Sequence, residues 1–282
     1  MSYDSSTSVD PDGKIAIGEV LSATFNVFKD RFLQLYGFSF LGNVPIIIGM
    51  LITGNAAPQS DISSISSGLA GVFGGFAIIS ALLNMCLQGS IAVCVFKVLR
   101  NEESNFSECL QKGLSRLGSL FCISLILIAL LTLYFVVGSL VIGIAIAAKS
   151  TFLIAILGVA LVLFGLTLFL SVVVSIPACM IERAGAFESI KRSMQLTKGN
   201  RVTIFFILII VFIILFIVSF VTALLSIFFA SGGIISTILE IVTILINTIP
   251  TALSFVCFSV IYYELRSVKE SFSIEDEADV FD

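Results

Sequence analysis

The sequence predicts an all-α fold: a polytopic membrane helical bundle of about six transmembrane helices, arranged as three repeats of an interfacial amphipathic helix followed by a transmembrane hairpin. Three observations carry that reading. Hydrophobic residues make up 58% of the 282 and charged residues only 12%, against roughly 45–50% and about 25% in soluble domains. Several apolar runs exceed the roughly 20 residues that a helix needs to cross a bilayer. The polar islands between the runs share one amphipathic pattern, and such an island is too short and too polar to cross on its own.

The first amphipathic helix is expected over residues 15–32, where Ile17, Leu21, Phe25, Phe28 and Phe32 recur at helical spacing with Glu19, Ser22, Asn26, Lys29 and Asp30 between them. Residues 33–53 supply one crossing. A loop with Gly54, Pro58 and Asp61 follows, and residues 68–96 supply the second crossing. Within that crossing, Gly71 and Gly75 form a GxxxG spacing that permits close helix approach, read first as packing inside the chain and second as a dimer contact.

The middle island, residues 102–116, sets Phe106, Leu110 and Leu114 opposite Glu108, Gln111, Lys112 and Ser115. Residues 117–148 and 151–181 then form the second hairpin, long enough for two tilted helices. The third island, residues 183–198, sets Phe187, Ile190 and Met194 opposite Glu188, Lys191, Arg192, Gln195 and Lys198; Gly199-Asn200 is a helix-ending turn. Residues 202–230, a Ser231-Gly232-Gly233 turn and residues 234–263 complete the last hairpin. Aligned by eye, Glu19, Glu108 and Glu188 occupy equivalent places in the three islands.

Six crossings place fourteen of the fifteen Lys and Arg residues on one side, with Lys149 alone opposite. By the positive-inside rule that side is cytoplasmic, and both termini lie there. Residues 1–14 are polar and acidic and lack the basic-then-apolar pattern of a cleaved signal, so they are expected to be a disordered N-terminal segment ahead of a retained first helix. Residues 264–282 are expected to be an acidic cytoplasmic tail; from Glu270 onward it holds six acids and no base.

Histidine is absent from the sequence, which removes the commonest general base, the usual metal ligand and any Ser-His or Cys-His pairing. The six cysteines show no CxxC spacing and mostly lie in apolar runs, so neither a disulfide framework nor a metal site is expected. The expectation is no enzyme, no catalytic residue, no metal, no cofactor and no nucleic-acid partner.

Four polar residues in the apolar runs are candidates for an intramembrane site: Asn84, Gln88, Glu240 and Asn247. A carboxylate at membrane depth costs roughly 2.5–3.5 kcal/mol near the centre, which makes Glu240 a functional candidate. It also lies only about two turns from Gly233 and can reach the outer interface. Asn84, Gln88 and Asn247 either line a polar path with it or make ordinary interhelical hydrogen bonds. Lys191, Arg192, Lys198 and Arg201 are candidate lipid-headgroup contacts, and Pro45, Pro177 and Pro250 are candidate helix kinks because each removes a backbone donor.

Two stretches, SIPACMIERAGAFESIKRSMQLTKGNRVTIF at 175–205 and FSVIYYELRSVKES at 258–271, resemble the membrane-domain superfamily related to the glycerophosphoryl diester phosphodiesterase membrane domain and the YciC-like uncharacterised inner-membrane proteins. The matching positions are Pro177, Glu182, Ser189, Ser193, 196–199 and 262–266. The resemblance implies a prokaryotic cytoplasmic (inner) membrane and leaves the activity open, since the soluble phosphodiesterase barrel is missing. Two functions are expected in consequence. The first is a membrane protein that handles lipids or amphiphiles or moves a solute, with membrane lipids as partners. The second is an anchor or assembly subunit that binds a soluble or membrane partner through its elbow helices or acidic tail.

Overall fold

The computed structural model describes residues 15–53, 67–147, 149–228 and 234–279. The N-terminal segment, the 54–66 loop and the 231–233 turn lie outside these residues, as do the side chains of the acidic tail. Ten helices follow in order: α1 (Ile17–Asp30), α2 (Phe32–Thr53), α3 (Ser67–Leu99), α4 (Phe106–Ser115), α5 (Leu117–Ala147), α6 (Thr151–Val172), α7 (Ser175–Glu182), α8 (Ala186–Thr197), α9 (Arg201–Phe228) and α10 (Ile234–Asp279). No strand occurs among the described residues. Six stretches are long and apolar enough to cross a membrane: Phe32–Ile52, Gly74–Leu99, Leu117–Ala147, Thr151–Glu182, Arg201–Ile227 and Thr237–Glu270. The fold is that of a multi-pass membrane protein. The three amphipathic helices α1, α4 and α8 each precede a pair of these stretches, and helix α10 runs on through the acidic segment to Asp279.

The core forms where α1, α2, α3, α9 and α10 meet, around Val20, Leu35, Phe38, Leu87, Ile91, Ile204, Val256, Ile261 and Tyr262. The α5–α6 hairpin stands apart from it. In their most apolar windows 50% of α3 is buried but only 11% of the α5 crossing and 6% of the α6–α7 crossing, so most of that hairpin is left to face lipid.

The amphipathic helices dock by small residues together with part of their apolar stripe. Helix α1 buries Val20, Ala23, Thr24 and Val27 while Phe25 stays 46% exposed. Helix α4 buries Cys109 and Gly113 and leaves Phe106 and Leu114 exposed; α8 buries Ser189, Ile190, Ser193, Leu196 and Thr197 and leaves Phe187 and Met194 exposed. Small side chains let a helix lie close against the bundle, and the large apolar residues at the edge of the stripe point outward, where a bilayer interface accepts them. The three equivalently placed glutamates part company. Glu108 is ion-paired, Glu188 is exposed, and Glu19 has a buried Oε2 with no hydrogen-bond partner among the described residues.

The run expected as one helix over 151–181 is two. Helix α6 stops at Val172 and α7 restarts at Ser175, with Pro177 in the first turn of α7, where a missing amide proton costs no helical bond. Pro45 and Pro250 lie inside α2 and α10. Around Pro250 the hydroxyls of Thr248 and Thr251 donate to the carbonyls of Ile244 and Asn247, each at 2.7 Å. Gly75 meets no described residue within 4 Å of an added Cβ, so it makes no close helix contact among the described residues; the side of Gly71 lies outside them.

Gly113 marks the tightest docking. A Cβ there would collide with Ser90 Oγ and lie 2.8 Å from the Cys86 carbonyl oxygen, which is backbone and cannot rotate away, whereas a Cβ at Gly118 meets nothing within 4 Å. Gly113→Ala is therefore expected to destabilise the protein by about 1–3 kcal/mol through overpacking, while Gly118→Ala holds or slightly raises stability through helix propensity. Thermal unfolding of the two variants in detergent checks the difference in sign.

Candidate functional site

The helix ends on the α1, α4 and α8 side are tied by a cluster of charged groups. Glu182 closes α7, and Arg183 after it adopts a left-handed backbone conformation, φ 56°, that turns the chain into α8. Two donors converge on Glu182 Oε1: the Tyr262 hydroxyl of α10 at 2.8 Å and Arg192 Nε of α8 at 2.8 Å. Arg192 also donates through Nη2 to Glu270 Oε1 at 3.0 Å, and Arg266 Nε donates to the same oxygen at 2.8 Å. Tyr262 is fully buried and Glu182 is 20% exposed by side chain. Charge-assisted bonds in so sheltered a place are stronger than surface pairs, so three helices are held at one carboxylate.

Beside this clasp lies a basic cavity of about 630 Å³ between the ends of α3, α4 and α7. Lys97, Arg100, Lys112, Arg116 and Arg183 line it, with Glu102 as its one lining carboxylate and Val93, Phe96, Met180 and Ile181 as its apolar wall. Glu108 stands behind two of the lysines, accepting from Lys97 Nζ at 2.6 Å and Lys112 Nζ at 2.8 Å. Lys112 first and Lys97 second lower the Glu108 carboxyl from its ordinary 4.5 to about 2. Arg100 lies over the Phe96 ring at 4.5 Å. Arg100, Arg116 and Arg183 form no ion pair with any described residue.

A second cavity, about 650 Å³ and almost wholly apolar, sits deeper in the membrane-spanning region. Its walls come from α3 (Gln88), α5 (Leu127, Leu130, Leu131, Tyr134), α6 (Val162 to Val172), the 173–177 segment and α10 (Phe255, Phe258, Ser259). Leu131, Val162 and Phe169 are more than half exposed, so the cavity opens sideways, toward lipid, where the α5–α6 hairpin leans from the core. Most polar groups on its wall are already engaged: Tyr134 donates to the Leu161 carbonyl at 3.0 Å and Ser259 to Phe255 at 2.8 Å. The Gln88 amide forms no hydrogen bond with a described residue.

The two cavities are lined from the same two helices: on α3 Gln88 lines the apolar one and Val93 the basic one, and on α7 Pro177 and Met180 do the same. At 1.5 Å per residue these pairs are about 5–8 Å apart along their helices. Nearby, α3 packs tightly at Gly89, where an added Cβ would meet Met180 Sδ and Leu120 Cδ1, both at 3.0 Å.

The four intramembrane candidates have different surroundings. Asn84 donates to the Gly42 and Ser80 carbonyls, each at 2.9 Å, joining α3 to α2. Asn247 contacts Ser219 at 3.2 Å and Thr222 at 3.1 Å, joining α10 to α9. Glu240 is half-buried on α10, and the wholly buried carboxylate of that helix is Glu264. Gln88 alone reaches a cavity. Among the candidate headgroup contacts, Lys191 and Lys198 are exposed, Arg192 is committed to Glu182 and Glu270, and Arg201 has a buried Nε with no hydrogen-bond partner among the described residues. The basic cavity is the feature that sequence reading missed. Its lysines and arginines were counted as topology signals, and the sign of a site was that they bracket the ends of consecutive apolar runs.

Fold and site together define a polytopic helical membrane protein with a lateral apolar cavity and a basic one at the membrane boundary. The chain belongs to the family described as a domain of unknown function (DUF7847), which matches residues 105–265 and so takes in α4 to α9 and most of α10, while the walls that Gln88 to Glu102 give the two cavities lie before the matched range. No curated protein and no solved structure matches the chain.

Two measurements check the electrostatics. In a double-mutant cycle of Glu182→Ala and Tyr262→Phe the two changes are expected to couple by about 0.5–3 kcal/mol in detergent unfolding, because each removes the bond they share; simple additivity would mean that the bond contributes nothing. The pairing of α4 to α3 through Glu108 stabilises the fold fully above pH 4.5 and is lost as pH falls toward 2. A spin label on α4 is thus expected to gain mobility across that acid window, and Glu108→Gln to abolish the pH dependence.

Proposed function

We propose that this protein works without catalysis of its own, holding a lipid or similar amphiphile in the cavity between its α5–α6 hairpin and the α3–α10 core. The observation that carries this reading is the sideways-opening apolar cavity of about 650 Å³, a size within the roughly 300–1,000 Å³ usual for small-molecule sites. An apolar space facing lipid takes up chains at no net hydration cost, and a lone amide such as Gln88 orients what enters. Absence of histidine fits a non-catalytic role.

The membrane on this reading is the cytoplasmic (inner) membrane of a prokaryote, with both termini cytoplasmic. The support is the one-sided distribution of Lys and Arg. Of the positions on which the resemblance to the glycerophosphoryl diester phosphodiesterase membrane domain rests, Glu182, Tyr262 and Arg266 are members of the clasp. The three amphipathic helices then act as joints on the cytoplasmic leaflet, each heading a hairpin.

Native mass spectrometry of the full chain gives the test. Wild-type protein purified in mild detergent is expected to carry bound amphiphile, and Leu127→Trp with Leu130→Trp, which fills the cavity, to reduce the load at least about tenfold. An equal load on a double variant with the same unfolding midpoint would mean that the cavity is not the site.

A further inference from the structure

We propose that the basic cavity between α3, α4 and α7 is a phosphate site, and that an anionic amphiphile seated there extends its chains into the apolar cavity next to it. The second clause rests on the function proposed above; the first stands on its own geometry. Five cations converge on one space of about 630 Å³ against a single lining carboxylate, and like charges so placed repel one another unless an anion sits among them. Glu108 neutralises the back of Lys97 and Lys112 and fixes them in place. Arg100, Arg116 and Arg183 have no described carboxylate in ion-pair range; Arg116 also reaches the Cys179 thiol and Arg100 the Phe96 ring, which leaves their charge uncompensated. Guanidinium groups bind phosphate oxygens with paired, parallel hydrogen bonds.

The site's depth is also right for a headgroup. Arg100 and Arg183 directly follow the ends of two crossings and Arg116 precedes the start of a third, Leu117–Ala147, so the cations stand at the boundary where lipid phosphates lie. Basic pockets between helix ends on one side of a membrane bind anionic headgroups. From that level the apolar cavity is about 5–8 Å away along α3, from Val93 to Gln88, and along α7, from Met180 to Pro177.

A phosphate can come from a lipid headgroup or from a soluble phosphate, and binding to the purified full chain separates the sources. Phosphatidylglycerol and phosphatidylcholine are titrated in native mass spectrometry, and inorganic phosphate is followed by calorimetry. Each probe is run on wild type, Arg116→Gln/Arg183→Gln, Arg116→Lys and Leu127→Trp/Leu130→Trp. The expected result is a preference of at least about tenfold for phosphatidylglycerol, lost in the glutamine variant and kept in the lysine variant, with unfolding midpoints showing that all are folded. Inorganic phosphate binding with the same arginine dependence but no lipid preference assigns the site to free phosphate and overturns the chain-seating clause. Anion binding that is indifferent to the arginines overturns the proposal. Tryptophan variants that keep their lipid load while the arginine dependence persists overturn the apolar-cavity reading alone.

Discussion

One oxygen of Glu182 is where three helices are joined. It accepts from Tyr262 on α10 and Arg192 on α8, and it terminates α7 itself. In a bilayer no hydrophobic driving force holds helices to one another, so polar contacts and close packing decide their arrangement. At the membrane boundary, where a carboxylate remains charged and partly dry, such a contact is at its most effective. The second hairpin is hardly buried, and its fastening to the bundle gathers at the same end: α7 carries Glu182, and the Ser193 hydroxyl of α8 donates to the Ser171 carbonyl of α6 at 2.8 Å. The lateral apolar cavity lies between that hairpin and the core.

The amphipathic helices add a second constraint. Each buries small residues and some apolar ones against the protein and turns other large apolar residues to the surroundings, so each is both a bundle element and an interfacial one. For α4 this brings Lys97, Lys112 and Arg116 together on one cavity wall, with Glu108 drawing the two lysines toward itself. The crowding of positive charge at the helix ends thus follows from how α4 is docked at Gly113, against the backbone of Cys86.

The fold was readable because its signals are long and redundant: a run of 20 or more apolar residues has few alternatives, and polar islands at regular intervals place the hairpins. Docking surfaces were less readable. The large apolar stripes of α1 and α8 are conspicuous in sequence, yet Phe25, Phe187 and Met194 turn outward while Ala23, Ser189 and Ser193 make the contacts. Periodicity shows that a helix has two faces and not which neighbour each one meets. Asn84 and Asn247 attract notice as polar atoms in apolar runs, but each satisfies itself on an adjacent helix. The cavities depend on how far hairpins lean from one another, a property of tertiary packing that no spacing rule records. Arg183 illustrates the gap: in sequence it is one of five bases in an island, and only its left-handed turn aims it beside Arg116 and Arg100.

These constraints combine into one account, a clasped bundle whose loosely held hairpin opens an apolar space below a cluster of cations. Electron cryomicroscopy of the full chain in nanodiscs of anionic lipid tests it most directly. The account predicts continuous density running from a headgroup between Arg116 and Arg183, past Met180, to the wall formed by Gln88 and Leu130. An α5–α6 hairpin closed onto α3 and α10, with no lipid between them, would contradict it.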